Sequence, residues 1–485
     1  MISKPQQPSP KQARYAMSAS LALSTRAGAH SIAIVGGGAS GALMTAHLLK
    51  RTRHEVRLTL FEPRADIGRG LAYATENESH RLNVRASNMS AFPQDPDHFW
   101  RWLKANGRQG EDRACFVPRS VYGRYLASLI EDHLADAGAP SVRWLRKTVV
   151  GLAQREGSVI LRFSDGETAA FDVAILCCGH EPSEELAAPF VDPWEEPSSW
   201  NAALDSTILI LGTGLTMVDA AISLSESGHR GPIVALSRRG LLPQAHRRVD
   251  HEPIAESEPP SPAKLAPFLH WLRARTRDEM KRGGDWREVF DGLRPHTQAL
   301  WRAMPSESRR RFLEHARPWW DTHRHRMAPE IATKIGALIE CGQLRILSGR
   351  VLKVNPKPDG ASVSIRPRAS AAAFALEVSR IVSCRGLASD PGRSANPLVA
   401  QLLADGYARV EALGIGLDVD GDCALIDASG RASDRVFAVG PMSVAAFWEV
   451  IAVPDIRLQA ASLAQRLTER MPERSGHLIG SQPTA

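Results

Sequence analysis

Short runs dense in Val, Ile, Leu and Ala recur at residues 31–35, 56–61, 173–179, 206–211, 233–236, 380–386 and 436–440. Each is too short for a buried helix and is bounded by Gly, Ser or charged residues, so each predicts a buried strand. Between them, residues 42–49, 218–227 and 456–467 space their apolar positions for helices. The order strand, glycine turn, helix occurs twice. An α/β fold follows, with one helix-covered sheet built on each turn.

In the first unit, the strand at 31–35 runs into Gly36, Gly38 and Gly41, and the next strand ends at Glu62. A dinucleotide site needs this order. Gly36 permits the turn, Gly38 lets backbone N–H groups approach a pyrophosphate, and Gly41 lets the helix pack close with its N-terminus facing the phosphates. Glu62 would accept hydrogen bonds from ribose hydroxyls and would repel a 2′-phosphate, so the site suits the ADP half of FAD or NAD.

In the second unit, the strand at 206–211 is followed by Gly212, Gly214 and Thr216, and Met217 stands where a third glycine is expected. The next strand, 233–236, ends in Ser237, Arg238 and Arg239 rather than in an acid. A hydroxyl and two guanidinium groups suit the 2′-phosphate of NADPH over NADH. Solvated loop charge is the other reading of these arginines.

The glycine-ended strands at 173–179, 380–386 and 436–440 fall where one nucleotide domain hands the chain to the other. The predicted fold class is therefore α/β, with two Rossmann-like dinucleotide-binding domains and the NADPH domain inserted in the FAD domain. Residues 30–195 and 386–470 would form the FAD domain, and residues 196–385 the NADPH domain. A helical insertion at 251–330 holds five of the eleven tryptophans: Trp271, Trp286, Trp301, Trp319 and Trp320. It reads either as a subdomain packed on its own tryptophans or as a substrate lid. Residues 1–29 read as a flexible extension, with Met17 a candidate start, and 471–485 as a flexible tail.

Composition changes this picture in one respect. The 485 residues carry a net charge of +7, and fifty of the sixty basic residues are arginine. The window from Arg238 to Lys334 holds twenty basic and thirteen acidic residues, which accounts for the whole excess. Positive charge thus gathers at the NADPH corner and the insertion beside it. With no zinc spacing, basic helix or RNA-binding aromatic signature, nucleic-acid binding is a remote alternative. Six sparse cysteines suit a reducing, cytoplasmic setting, and no apolar stretch is long enough to span a bilayer.

The two glycine turns, the stretches Gly70-Leu71-Ala72-Tyr73, His80-Arg81-Leu82-Asn83-Val84 and Asn88-Met89-Ser90, the corner Ser237-Arg238-Arg239-Gly240 and the late Gly440 together resemble two-dinucleotide flavoproteins. More closely, residues 30–470 resemble the bacterial FAD/NAD(P)-binding monooxygenase family that includes an FAD-dependent urate hydroxylase and an aspartate N-monooxygenase. The resemblance implies that Gly36, Gly38, Gly41 and Glu62 hold the ADP part of FAD. It implies that Leu82, Asn83 and Met89 lie by the flavin, and that Gly179 and Gly440 let strand ends approach it. Arg85 stands where that family has proline, and Pro441 follows Gly440 where many flavoproteins have aspartate. The helix after Pro454 would aim its N-terminus at the flavin.

FAD beside NADPH implies hydride transfer to the flavin, and the next acceptor defines the enzyme. The adjacent Cys177 and Cys178 read as buried thiols, not as a redox pair, which sets disulfide reduction aside. His323-Arg324-His325 reads as a cationic face rather than a metal site. Molecular oxygen is the remaining acceptor, giving a monooxygenase of a small polar or anionic substrate. Urate is the first expectation; N-hydroxylation of an amino acid such as aspartate, or an NADPH oxidase or reductase, are the alternatives. No catalytic residue is assigned. Arg247, His323 and Arg324 are the foremost candidates for substrate or anion contact, with Arg248, Arg317 and Arg326 beside them and His246, His323 and His325 as acid or base.

Overall fold

The computed structural model describes residues 30–51, 56–134, 142–179, 187–249, 253–384 and 390–470. The expected Arg385 and Gly386 strand end, the extension 1–29 and the tail 471–485 lie outside the described residues. Among the described residues there are sixteen strands: β1 (His30–Val35), β2 (Val56–Phe61), β3 (Val142–Leu145), β4 (Val149–Arg155), β5 (Ser158–Phe163), β6 (Thr168–Phe171), β7 (Val173–Leu176), β8 (Phe190–Val191), β9 (Ile208–Leu211), β10 (Ile233–Ser237), β11 (Leu344–Lys357), β12 (Gly360–Pro367), β13 (Phe374–Val378), β14 (Arg380–Ser383), β15 (Ala424–Ile426) and β16 (Ala432–Ala438).

The first sheet has the order β15-β16-β7-β1-β2-β3, parallel except for β15. Alternation of side chains decides what covers each face. Leu60 lies toward Gly41 of the helix Ala39–Arg51. The next residue, Phe61, turns the other way and packs its ring 5.1 Å from Phe163 and 5.7 Å from Phe171. Helices thus cover one face, and the antiparallel sheet β4-β5-β6 covers the other.

The second sheet runs β13-β12-β11-β10-β9-β14-β8. Its centre is parallel and its β11-β12-β13 end antiparallel. Ile208, Ile210, Ile233 and Ala235 pack with Met217, Val218 and Ala221 of the helix Leu215–Glu226. Leu209, Leu211, Val234 and Leu236 face Ala361, Val363 and Ile365 of β12, which folds back over the sheet. Phe190–Val191, expected in the first domain, forms β8 at the edge of this second sheet. The chain enters the second sheet there, leaves it after β14 and returns to the first as β15 and β16.

The insertion carries the helices Leu265–Lys281, Trp286–Gly292, Thr297–Ala303, Ser306–Arg311 and Arg317–Arg324. Asp285 starts the second through a reciprocal capping box with Glu288. The helical course from Ser306 to Arg324 is interrupted by a π-helical turn, Phe312–Ala316. Pro318 supplies the reason: it has no N–H to give to the carbonyl of Glu314, so the ladder slips just before it. Phe290, Trp301, Phe312 and Trp320 form the insertion's core together with Trp448 from the C-terminal part of the chain. Among the described residues, no helix is long and apolar enough to cross a membrane.

Candidate functional site

The first glycine turn is shaped by backbone contacts. Gly36 has φ +102°, and a Cβ there would sit 2.7 Å from the carbonyl oxygen of Cys177. A Cβ on Gly41 would collide with the carbonyl of Gly36, and one on Gly38 would lie 3.3 Å from Cα of Gly70. Gly440, at φ +84°, brings the end of β16 against Ser40, and its N–H donates to Gln459 at 2.8 Å. Gly179, by contrast, is exposed and has open space where a Cβ would be. The first turn of the helix Ala39–Arg51 therefore opens at the end of β1 with N–H groups its own ladder cannot use, a seat for a pyrophosphate.

Glu62 is buried at the end of β2, accepting from the Gly37 N–H at 2.9 Å and from the Arg64 side chain at 2.8 Å. Burial alone would raise its pKa, but Arg64 and the Gly37 N–H hold it below the usual carboxylate range. A ribose would reach Glu62 by displacing the half-exposed Arg64 guanidinium.

Leu82 and Met89 are buried in the first core. Arg85 adopts φ −65°, the angle a proline would impose, so the loop keeps the shape expected from proline at that place. Its side chain then reaches across to the second unit and donates to the carbonyl of Arg247 at 2.6 Å. Beside it, His246 donates Nε2–H to the carbonyl of Asn83 at 2.9 Å. Burial, reinforced by the charge of Arg326, pushes His246 down to about 3. It is a neutral imidazole whose remaining nitrogen, Nδ1, can only accept.

At the second turn, Gly212 has φ +117°, and Gly214 has nothing within 4 Å of where a Cβ would stand. Thr216 lines the adjoining cleft, while Met217 is wholly buried in the second core. This cleft encloses about 780 Å³ between β9, β10, β11 and the helix Arg317–Arg324. Arg238, Arg239, Arg317 and Arg350 line it. They are not equivalent. Arg239 points at the carbonyls of Glu314 and His315, at 3.5 and 3.3 Å, the first being the carbonyl that Pro318 leaves unused. Arg317 pairs with Asp321 at 3.3 Å. Ser237 Oγ accepts from Gly240 N–H and lies 2.9 Å from Thr213 Oγ1. The exposed Arg238 and Arg350 are left turned to solvent at the cleft. Sequence reasoning missed Arg350, because β11 carries no clean apolar run to flag it.

The substrate-contact candidates separate in the same way. The Arg247 side chain is three-quarters exposed and lies 3.6 Å from Asp285, so this residue joins the junction through its carbonyl. His323 packs its ring on Phe290 and Trp286 and donates to the Trp319 carbonyl at 2.7 Å. Arg324 is buried and committed to Glu449 at 3.0 Å.

Glu449, which sequence reasoning did not single out, holds φ +67° and also accepts from Trp320 at 2.7 Å. Burial works against its ionisation, but Arg324 and its neighbours keep its pKa below the usual value. Asp455, in the first turn of the helix Val453–Arg470, pairs with Arg294 at 3.2 Å. The helix expected to present a bare positive N-terminus therefore carries an acid there, which answers part of its dipole.

The fold is that of the two-dinucleotide flavoproteins. A family model described as FAD-NAD(P)-binding matches residues 33–181. The ornithine N-hydroxylase of Kutzneria sp. 744, solved with reduced FAD, NADP+ and L-orn, superposes with a TM-score of 0.61 at 16% identity, over 91% of this chain and 99% of that one. The cadaverine monooxygenase of Erwinia amylovora, bound to FAD, gives 0.65 at 13%, over 94% and 99%. The bacillithiol disulfide reductase of Staphylococcus aureus gives 0.54 at 10%, over 92% and 99%. No curated protein matches by sequence. At these identities the likeness fixes the fold and leaves the chemistry to the site.

Proposed function

We propose that this chain is an FAD-dependent, NADPH-consuming monooxygenase that N-hydroxylates a small amine. The observation that carries the reading is the His246–Asn83 hydrogen bond, which joins the segment leaving the NADPH cleft to the loop beside the first glycine turn. Two dinucleotide seats are thus brought to one junction. The family match over the first unit supports FAD there.

Gly36, Gly38, Gly41 and Gly440 would admit FAD, Glu62 would meet its ribose, and Leu82, Asn83 and Met89 would flank the ring. FAD, when bound, supplies a hydride acceptor for NADPH and a reduced ring that reacts with oxygen. Gly212, Gly214 and Thr216 would seat NADPH, with Arg238 and Arg350 on its 2′-phosphate. Phe116 packs 4.9 Å from the His246 ring and helps to exclude water there. His246 offers an acceptor at Nδ1 to an N–H of the substrate.

Urate, the first expectation, has no support among the similar structures. Those structures include an ornithine N-hydroxylase and a cadaverine monooxygenase, so amine oxidation is the better reading. Disulfide reduction, which the same fold also serves, is disfavoured by Cys177, whose thiol burial pushes well above its ordinary pKa. The test is a screen of amines and amino acids for stimulated NADPH oxidation with the product identified by mass. A product one oxygen heavier, formed in step with NADPH use, is expected; NADPH oxidation that yields only peroxide with every amine would refute the reading.

A further inference from the structure

Arg326 has a chemistry that the fold leaves incomplete. Its side chain is only 2% exposed, and one terminal nitrogen, Nη2, is paired with Asp291. Nε and Nη1 are buried and, among the described residues, have no hydrogen-bond partner. A guanidinium held out of water with three N–H bonds unused is unfavourable unless something anionic comes to it. The neighbouring arginines do not share this condition. Arg324 is held by Glu449, and Arg287 by Asp285 and the carbonyl of Ala245.

Its place in the fold is equally specific. Met327, the next residue, donates to the Gln244 carbonyl and accepts from His246 N–H, both at 2.8 Å. His246 in turn holds Asn83. Arg326 therefore stands where the insertion, the segment leaving the NADPH cleft and the loop of the first unit meet. The Trp286 ring lies 5.8 Å from its Cζ and forms an apolar wall.

We propose that Arg326 is the anchor for a carboxylate of the substrate, which makes the substrate an amine that also carries a carboxylate rather than a plain diamine. This deepens the monooxygenase reading and rests on it. A monoanion fits better than a phosphate dianion, because Asp291 already balances part of the charge of Arg326. Nε and Nη1 are shut off from solvent in the present arrangement, so the carboxylate enters as the insertion parts from residues 244–247. Its amine end then extends toward Asn83 and His246.

The experiment is calorimetric titration of the flavin-loaded protein with L-aspartate, L-ornithine, succinate and cadaverine. Saturable binding of at least one carboxylate and none of cadaverine is expected. Arg326→Met should weaken that binding at least 100-fold and Arg326→Lys by a smaller factor, with a cooperative melt showing that the variants fold. If Met does not fold, Lys alone decides, since an unchanged affinity in Lys overturns the anchor. Binding of cadaverine equal to that of the acids, no carboxylate binding, or undiminished affinity in Arg326→Met would each overturn the proposal. Failure of the underlying monooxygenase reading is seen separately, as wild-type protein that holds no flavin or whose flavin NADPH does not reduce.

Discussion

Arg238 and Arg239 are neighbours in the sequence and part company in the structure. Both were expected on the 2′-phosphate and both line the cleft, but Arg239 also reaches the carbonyls of the π-helical turn, and Arg350 of β11 joins them at the cleft. The glycine turns and the position of Glu62 at the end of β2 were legible because local backbone geometry imposes them at fixed spacing. Arg350 was not, because it comes to the cleft through strand pairing with a segment whose polar and apolar residues follow no simple period. Arg238→Ala and Arg350→Ala should each raise the KM for NADPH about tenfold, worth about 1.4 kcal/mol, while scarcely moving that for NADH. Steady-state kinetics with both coenzymes checks this, and parallel losses would remove the phosphate assignment.

At the level of elements, the insertion is tied down at several points. Trp301 stacks 4.4 Å from Trp448 and donates to the Ala445 carbonyl, while Trp320 and Arg324 grip Glu449. The same helix Arg317–Arg324 also lines the NADPH cleft, through Arg317 and Asp321, with His325 just beyond its end. One short helix thus touches both the cleft and the loop before the helix Val453–Arg470. Tryptophan density marked the insertion in the sequence. Its partner Trp448 was not legible, because it comes from a distant segment that no periodicity connects to it. Trp448→Ala should cost about 3–5 kcal/mol, as large aromatic truncations in cores do. It should also raise amide exchange across residues 265–324 before the rest of the chain; uniform exchange would show that the insertion does not depend on this contact.

For the whole molecule, the nested connectivity was readable from the repeated glycine turns, whereas the antiparallel sheet β4-β5-β6 and the hairpins β11-β12-β13 were not. Their strands are half exposed and broken by charged residues, so they lack the continuous apolar signal of β1 or β9. Folding also buries two histidines as neutral rings, His47 inside the first unit and His246 at the junction of the two: His47 is pushed down to about 4 and His246 to about 3, burial being the main cause in both. The unfolded rings take up protons near 6.5, so this stability is complete above about pH 6.5 and is lost as the pH falls toward 3. The melting temperature should therefore drop from pH 7 to pH 4.5. The drop should be smaller in His246→Gln, which keeps a donor for Asn83; an equal drop would mean that His246 is not held neutral.

In the proposed reaction, two dinucleotide seats pass electrons from NADPH to FAD at the His246–Asn83 junction. Anaerobic mixing of the purified protein with NADPH or NADH, followed at the flavin absorbance near 450 nm, tests it most directly. A yellow protein is expected, bleached at least tenfold faster by NADPH than by NADH at equal low concentration, with colour returning when oxygen is admitted. A protein that binds no FAD, or a bound flavin that neither coenzyme bleaches, would contradict it.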